Sequence, residues 1–460
     1  MSPIDMCMHL FELRSNNLHI GSLLIFEPPA DAPAEFVADA YANALTLTRA
    51  DHRLMLRAVS GLASAGLPAW EEVDHIDMDR HLTRLALPCP GDETQLFTLV
   101  AHLHESPLDS SRPMWHGYLI GGLRDGRFAL YTKIHHSIVD GLAGLRLIEG
   151  ALTHDSSKRD MPLAYAEQHE DTQSEAHRHR RLPNPVHWVR TGVGDVGLAA
   201  EVVWKAAAGE LHRVIKGVFS DTTVLPMAAP RTIFNTRVST ARAFTAMSWP
   251  KDRIRAVAAA ADATGNEVMM AMAAGALRTY LLDRDELPAQ PLVAFVPVAQ
   301  RRREDADSSN SIGVALCNLA TDSADPNHRL ETIRTSMEES KRLVIGMGYG
   351  PSILTGIPDL APNLIHMLPF DPTVAPSFNI VFSTVPGPEE TLYWNGAAVT
   401  DLIPVSLVCD GVGLNITVCY YADKFQFGYL ACPECAPGLD RLPQMTESAL
   451  RELEAAYVQS

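Results

Sequence analysis

The chain has 460 residues, of which 47% are hydrophobic and 20% are charged, which is the composition of a globular protein. This length exceeds one ordinary hydrophobic core, so we expect two or three domains. The net charge of −17 at pH 7 excludes nucleic acid as an expected partner, because its phosphates require a basic surface. Any anionic ligand must therefore meet a local basic patch.

The seven cysteines are odd in number and irregularly spaced, which favours a reducing cytoplasm over a disulfide framework. Cys432 and Cys435 form one C-x-x-C pair. A zinc site would need two further ligands at similar spacing, and the sequence has no second pair or nearby histidine couple to supply them. We therefore expect no bound metal.

The N-terminal residues contain no basic stretch before an apolar run, so we expect no signal peptide. The sequence also has no uncharged apolar segment of the roughly 20 residues that a membrane span requires. These two features predict a cytoplasmic protein without a transmembrane helix.

Short strands and amphipathic helices alternate in the first 152 residues. The patterns predict a strand that ends at residues 23–26, a helix over 34–47, a strand over 127–134 and a helix over 142–152. The strand at 127–134 leads directly to two adjacent histidines. We take residues 1–152 as an N-terminal domain.

Residues 153–230 have a different character. Positions 155–181 are polar and charged and end in a basic cluster that contains Arg178, Arg180 and Arg181. This composition predicts a linker. It is followed by a helical apolar stripe over 187–218, which includes Trp188 and Trp204.

A second region of helices and strands occupies residues 231–460. One or two helices are predicted over 252–282 and a last helix from residue 440 to the end. Strands are predicted at 291–298, 379–382, 413–421 and 425–430. The simplest architecture is an α/β fold of two layered domains joined by the linker.

The strongest signal for chemistry is the run His-His-Ser-Ile-Val-Asp-Gly at residues 135–141. Adjacent side chains at the end of a strand point in opposite directions, so only one histidine can face a given cleft. A histidine pKa of about 6.5 suits proton abstraction near neutral pH. Asp140 can lock the turn, often through a buried ion pair, and Gly141 permits a tight turn into a helix. The alternative is a pair of core histidines beside a turn aspartate.

This HHxxxDG run is the motif of the chloramphenicol acetyltransferase-like superfamily. Within it, the chain resembles the bacterial bifunctional wax ester synthase/diacylglycerol acyltransferase family nearly from end to end, apart from the linker. Further blocks that resemble the family lie at residues 3–5, 19–21, 107–115 (PLDSSRPMW), 230–232 with Asn235, 383–388 (STVPGP) and 410–417 (DGVGLNIT).

The resemblance implies two acetyltransferase-like domains with the active site in a tunnel between them. It implies that His136 removes a proton from an acceptor hydroxyl, whose oxygen attacks the thioester of a long-chain acyl-CoA. The products are an oxyester and free CoA, and the acceptor is diacylglycerol or a long-chain alcohol. His135 and Asp140 would support the base. Neither a covalent acyl-enzyme nor a metal or other cofactor is needed.

Two positions depart from the family pattern. The family often has Asn-Asp in a helix of the second domain, where this chain has Asn266 and Glu267. Asn266 is the expected donor near the reacting carbonyl. The family usually has Asn before Val-Pro-Gly-Pro, where this chain has Thr384. These departures bear on the acceptor preference and on the level of activity.

The remaining blocks supply further candidate residues, each with a structural alternative. Asp109 and Arg112 form an ion pair that braces the site or else touch substrate, whereas Trp115 is expected to pack. Asp410 and Asn415 line the site or else serve a turn and the start of a strand.

Two other functions fit parts of the sequence. A condensation domain of a peptide synthetase shares HHxxxDG but forms amides from carrier-bound donors, and this chain has no attached carrier region. An inactive lipid-body binding protein would keep the fold without turnover. We also expect the basic linker and the helix after it to attach the enzyme peripherally to an inner membrane or to lipid bodies. The alternative, which does not exclude the first, is that this helix packs across both domains as a structural strap.

Overall fold

The computed structural model of the chain describes residues 12, 17–60, 68–162, 224, 227–299, 312–347 and 375–458. The linker and amphipathic helix predicted between residues 153 and 230 fall largely outside this part of the chain, and so do Arg178, Arg180, Arg181, Trp188 and Trp204.

The first half of the chain contains six strands and three α-helices within the described residues. In chain order these are β1 (His19–Glu27), α1 (Phe36–Ala44), β2 (Leu56–Ser60), β3 (Pro68–Glu72), β4 (Leu82–Ala86), α2 (Glu93–Glu105), β5 (Trp115–Gly121), β6 (Phe128–His135) and α3 (Gly141–Ala151).

The second half contains eight strands and four α-helices within the same described ranges. They are β7 (Ala243–Pro250), α4 (Lys251–Ala260), α5 (Gly265–Leu282), β8 (Val293–Ala299), β9 (Ile312–Asn318), α6 (Pro326–Met347), β10 (Ile380–Val385), β11 (Tyr393–Trp394), β12 (Ala397–Val405), β13 (Leu414–Tyr421), β14 (Lys424–Ala431) and α7 (Leu442–Tyr457). The predicted α/β class is confirmed, and each element predicted outside the linker has a counterpart here.

Twelve of the described strands form two six-stranded sheets, and β2 and β3 form a separate two-stranded sheet. The first sheet has the order β11-β12-β1-β6-β5-β4, and the second has the order β7-β14-β13-β10-β8-β9. Strand β12 pairs antiparallel with β1, so that Leu24 lies opposite Leu402. The first sheet therefore contains β11 and β12, which come from the second half of the chain. Domain boundaries at residues 152 and 231 separate these two strands from the rest of their sheet.

Helix α5 forms much of the core of the second half. It starts at a capping box, in which the Thr264 side chain accepts from the Glu267 N–H and the Glu267 carboxylate accepts from the Thr264 N–H. Thirteen of its eighteen residues are buried. A helix that is apolar on all sides must be covered on all sides. Accordingly α5 packs against α4, α6, α7 and residues of the second sheet such as Phe382 and Ile416.

Helix α3 follows the histidine motif and covers one face of the first sheet. Its apolar residues Leu145 and Ile148 join the cluster that contains Phe128 and Ile134 of β6. Cys419 of the second sheet belongs to the same cluster. The segment after β6 is thus held where the two sheets meet. None of the helices in the described ranges combines the length and the hydropathy needed to cross a membrane.

Candidate active site

A cavity lies between the two sheets, beside the turn that joins β6 to α3. Neighbouring strands β12, β1 and β6 form one wall, since Ser22 of β1 lies opposite Pro404 on one side and Thr132 on the other. Ser383 and Thr417, which are paired across β10 and β13, belong to the wall contributed by the second sheet. The other residues of the lining are mostly apolar, among them Ile20, Ile134, Leu145, Ile148, Val385, Leu402 and Val405.

His136 is the histidine of the motif that lines this cavity. It is half-buried, and its backbone N–H donates to the carbonyl oxygen of Leu18 at 2.9 Å. His135 is fully buried, and its backbone N–H donates to Met114 O at 2.9 Å. As expected for adjacent residues at the end of a strand, only one of the two histidines faces the cavity.

The ring of His135 is held by two neighbours within the described chain. Its Nδ1 lies 2.5 Å from Ser137 Oγ and accepts from the Ser137 backbone N–H at 3.2 Å. Its Nε2 lies 3.2 Å from Oε2 of Glu12, whose side chain is 20% exposed. Sequence reasoning missed Glu12, because the position belongs to none of the recognised blocks.

Asp140 has a different role from the predicted buried ion pair. It is the N-cap residue of α3, and its Oδ1 accepts from the Ala143 N–H at 2.7 Å. Its carboxylate is half-buried, and no lysine, arginine or histidine of the described chain lies within ion-pair distance of it. Within the described residues Asp140 locks the turn as a helix cap, and its ion pair stays a prediction.

Gly141 is the first residue of α3 and lines the cavity. A Cβ atom at this position would lie 3.3 Å from Cγ2 of Val385 on β10. The absence of a side chain at Gly141 thus lets the start of the helix approach the second sheet closely, a role that the sequence reasoning did not predict.

Asn266 and Thr384 contact each other. The Thr384 hydroxyl donates to Asn266 Oδ1 at 2.6 Å, which joins the end of β10 to the first turn of α5. Ser383 and Val385 line the cavity on either side of Thr384, so the alternation of the strand directs Thr384 to the opposite face, toward α5. Asn266 is not among the described residues that line the cavity, and its contact with a reacting carbonyl stays a prediction.

Glu267 has the contacts of a structural residue. It is 4% exposed, caps the N-terminus of α5 and lies 3.9 Å from Lys341 Nζ. Its carboxylate accepts from the Thr264 N–H at 2.8 Å.

Asp109 and Arg112 form an ion pair of 3.5 Å on an exposed turn. Hydrogen bonds from the Ser111 hydroxyl and N–H, with a smaller contribution from Arg112, lower the pKa of Asp109. Trp115 is buried and donates its Nε1–H to Leu54 O at 2.9 Å, so its predicted packing role is confirmed. Of the two alternatives for the charged pair, the structure shows the ion pair.

Asp410 and Asn415 are buried and support the backbone around the cavity. Asp410 accepts from the Val238 N–H at 2.8 Å, and Asn415 donates to Leu407 O at 3.1 Å. Asn415 also accepts from the hydroxyl of Thr417 at 2.8 Å, and it is Thr417 that reaches the cavity wall. Within the described lining of the cavity this block contributes Thr417, two positions beyond Asn415, and neither of the two predicted residues.

Buried polar groups hold helix α2 behind His135. His19, which lies opposite His135 in the sheet, contacts His104 O at 2.9 Å. Lys133 donates to Leu103 O at 2.7 Å and to Ser106 O at 2.6 Å, a favourable place for a cation at the end of a helix. Burial lowers the pKa of Lys133 to about 8 and lowers the pKa of His19 and His104 well below the usual value.

The C-x-x-C pair lies in the turn after β14. The Cys432 thiol donates to Glu434 Oε2 at 2.8 Å, and Cys435 lies 3.2 Å from the Thr236 hydroxyl. Within the described residues, no group of three or more histidine, cysteine or carboxylate side chains is arranged to hold a metal ion.

Comparison with known proteins identifies the family. The sequence model of the wax ester synthase/diacylglycerol acyltransferase catalytic domain matches residues 1–269, and that of the WS/DGAT C-terminal domain matches residues 308–454. The chain belongs to this family. It is therefore an acyltransferase, and the predicted resemblance is confirmed.

Individual relatives match this chain over nearly its whole length. The chain is 38% identical to a putative diacylglycerol O-acyltransferase of Mycobacterium tuberculosis over 99% of both chains. It is 34% identical to the O-acyltransferase WSD of Acinetobacter baylyi, over 99% of this chain and 96% of that protein.

Solved structures agree with this assignment. The wax ester synthase/diacylglycerol acyltransferase of Marinobacter aquaeolei VT8 superposes with a TM-score of 0.75 at 33% identity, over 99% of both chains. The first condensation domain of the calcium-dependent antibiotic synthetase, in complex with a substrate analogue, gives a TM-score of 0.58 at 15% identity, over 98% of this chain and 95% of that one. This second likeness shows a shared fold alone.

Proposed function

We propose that this protein transfers a long-chain acyl group from CoA to a lipid hydroxyl, either that of diacylglycerol or that of a long-chain alcohol, with His136 as general base. The observation that carries the proposal is the position of His136 on an apolar cavity between the two sheets. The relative named as a putative diacylglycerol O-acyltransferase and the solved wax ester synthase/diacylglycerol acyltransferase support the choice of acceptor.

In the proposed reaction His136 takes the proton of the acceptor hydroxyl while the oxygen attacks the thioester carbon. The tetrahedral intermediate then collapses, the carbon–sulfur bond breaks, and the proton passes from His136 to the CoA thiolate. The products are an oxyester and free CoA, so atoms and charges balance without a second reactant. General base catalysis of this kind typically contributes about 10²–10⁴ in rate.

The composition of the cavity supports an alkyl chain as the bound group. Transfer of one methylene group from water to such a surface contributes about 0.8 kcal/mol, so a long chain gains far more than a short one. Ser22 and Ser383 add hydroxyl groups to opposite walls and leave the cavity uncharged at these points. We propose that the reaction proceeds without a metal or other cofactor, with acyl-CoA as a co-substrate.

We further propose that the enzyme works at a lipid surface inside the cell, where its poorly soluble substrates accumulate. Juxtamembrane basic residues contribute roughly 1 kcal/mol each on anionic lipid, and Arg178, Arg180 and Arg181 are the cluster to test. Liposome flotation of the parent and of a variant with serine at all three positions would compare binding at low and moderate salt. Equal binding by both proteins would contradict the role of this cluster.

The test of the proposed function is a free-thiol assay of CoA release from a long-chain acyl-CoA, with diacylglycerol and hexadecanol as parallel acceptors. We expect acceptor-dependent release of CoA and its loss, by more than tenfold, in His136→Ala. His52→Ala is the matched control, because that side chain is 70% exposed and its ion-pair partner is the neighbouring Asp51. A His136→Ala protein that keeps more than a tenth of the rate would overturn the assignment of the base. Binding of the lipids without any CoA release would favour the inactive lipid-binding alternative.

A further inference from the structure

The carboxylate of Glu12 contacts both His135 and the backbone of Leu18, the residue whose carbonyl oxygen accepts from the His136 N–H. Its Oε2 lies 3.2 Å from Nε2 of His135, and its Oε1 accepts from the Leu18 N–H at 3.1 Å. Glu12 is 20% exposed and His135 is fully buried. A carboxylate in this setting interacts more strongly with a hydrogen-bond donor than it would in water.

Two residues of the described chain hold the His135 ring from opposite sides. The backbone N–H of Ser137 donates to Nδ1 at 3.2 Å, and the Ser137 hydroxyl lies 2.5 Å from the same nitrogen. At the other edge of the ring, Nε2 lies 3.2 Å from Oε2 of Glu12, which is an ion-pair distance. The contact with Glu12 therefore restrains the side of the ring that Ser137 does not reach.

The same contacts fix the backbone of His136. Its own N–H donates to Leu18 O at 2.9 Å, and the next N–H along the chain, that of Ser137, donates to the His135 ring. Since a residue has only two soft backbone torsions, hydrogen bonds on both sides of His136 restrain both of them. Glu12 accepts a hydrogen bond from the Leu18 N–H and also contacts the His135 ring, so it links the two restraints on His136.

We infer that Glu12 is a positioning residue that holds His136 in its reactive orientation through the His135 ring and the Leu18 backbone. The inference rests on the proposed function of His136. Glu12 itself touches neither acyl donor nor acceptor in this assignment. A displacement of a reacting group by about 1 Å can cost on the order of 10² in rate, which sets the scale of the expected effect.

The test measures initial rates of CoA release by the full-length parent and by Glu12→Ala and Glu12→Gln. We expect Glu12→Ala to lower kcat by about 10-fold to 100-fold and to leave both KM values within about threefold, because positioning affects the transition state. Glu12→Gln keeps one acceptor oxygen at the same reach, so it should recover part of the lost kcat. Glu35→Ala, at an exposed glutamate that makes no capping hydrogen bond at the start of α1, is the matched control and should equal the parent.

A double-mutant cycle separates positioning from a general structural role. If Glu12 acts through His136, adding Glu12→Ala to His136→Ala should lower the residual rate no further, whereas a structural role would lower it again. A Glu12→Ala rate within twofold of the parent, a loss confined to KM, or additive losses in the cycle would each overturn the inference. If Glu12→Ala does not fold, Glu12→Gln takes its place in the cycle under the same criteria. A parent protein that releases no CoA would instead overturn the proposed function, and the inference with it.

Discussion

The hydroxyl of Thr384 donates to Oδ1 of Asn266 across 2.6 Å, which ties the end of β10 to the first turn of α5. The sequence analysis compared Asn266, Glu267 and Thr384 with the family pattern, and two of these three residues form this hydrogen bond. Thr384 stands where the family usually has asparagine, and the structure shows that threonine still supplies a donor to Asn266. In this chain the Thr384 hydroxyl therefore links the second sheet to its central helix.

Replacing Thr384 with valine keeps the shape of the side chain and removes this donor. We expect the free energy of unfolding to fall by about 1–3 kcal/mol, because Asn266 Oδ1 loses its partner at a half-buried position. Thr384→Ser retains the hydroxyl and should stay close to the parent. Urea unfolding of the three proteins measures the difference, and equal stabilities of the valine and serine variants would contradict it.

Asn266→Ala tests the separate prediction that this residue contacts the reacting carbonyl. Loss of a well-placed donor to a developing oxyanion typically lowers the rate by about 10²–10³. Thr384→Val, which leaves the Asn266 amide in place, should cost much less. Initial rates of CoA release compare the two variants directly. If Asn266→Ala slows the reaction no more than Thr384→Val does, Asn266 serves only as the partner of Thr384.

Gly141→Ala places a methyl group beside the cavity, where its Cβ would lie 3.3 Å from Val385 Cγ2. Helix α3 gains intrinsic stability from alanine, by up to about 1 kcal/mol. We nevertheless expect a several-fold loss of CoA release, because the start of α3 must move away from β10 next to His136. Val385→Ala in the same protein removes the contact and should restore most of the rate. No recovery in the double variant would show that the space at Val385 is not what Gly141 provides.

Local sequence patterns were sufficient to predict β6, α3 and the fact that only one histidine of the pair faces the cavity, whereas the choice of His136 came from the resemblance to the family. The apolar residues at the start of β6 fit its complete burial, although the strand also buries Thr132 and Lys133. The glycine after Asp140 marks the start of the helix. The pairing of β1 with β12 could not be predicted in this way, since Leu24 and Leu402 are far apart in sequence and neither pattern specifies its partner. Glu12 was missed for the same reason, because only the folded chain brings it to His135.

Asp140→Ala removes the N-cap of α3, so we expect it to lower the free energy of unfolding by about 0.5–2 kcal/mol. This is less than the loss of a buried ion pair would cost. Asp140→Asn caps a helix about as well and should unfold near the parent value. Urea unfolding and CoA release are measured on the same samples. A fall of more than about 3 kcal/mol for Asp140→Ala would favour an ion pair after all.

Four buried or half-buried histidines predict that the protein loses stability in mild acid. Burial is the first cause in each case: it lowers the pKa of His116 to about 4, lowers that of His81, and lowers those of His19 and His104 well below the usual value. In the unfolded chain these groups titrate near 6.5. Below that pH the unfolded state binds more protons than the folded state, so the free energy of unfolding falls as pH falls.

The stabilisation is therefore complete above about pH 6.5 and decreases as the pH is lowered toward 4, the folded-state pKa of His116. Urea unfolding between pH 7 and pH 5 measures this slope before most carboxylates titrate. His116→Gln removes one of the four groups, and its amide can still reach the Thr83 hydroxyl that lies 2.9 Å from His116 Nε2. We expect a shallower slope for this variant and an unchanged slope for His52→Gln, whose side chain is 70% exposed. If His116→Gln keeps the parental slope, the burial of His116 does not contribute to the acid sensitivity.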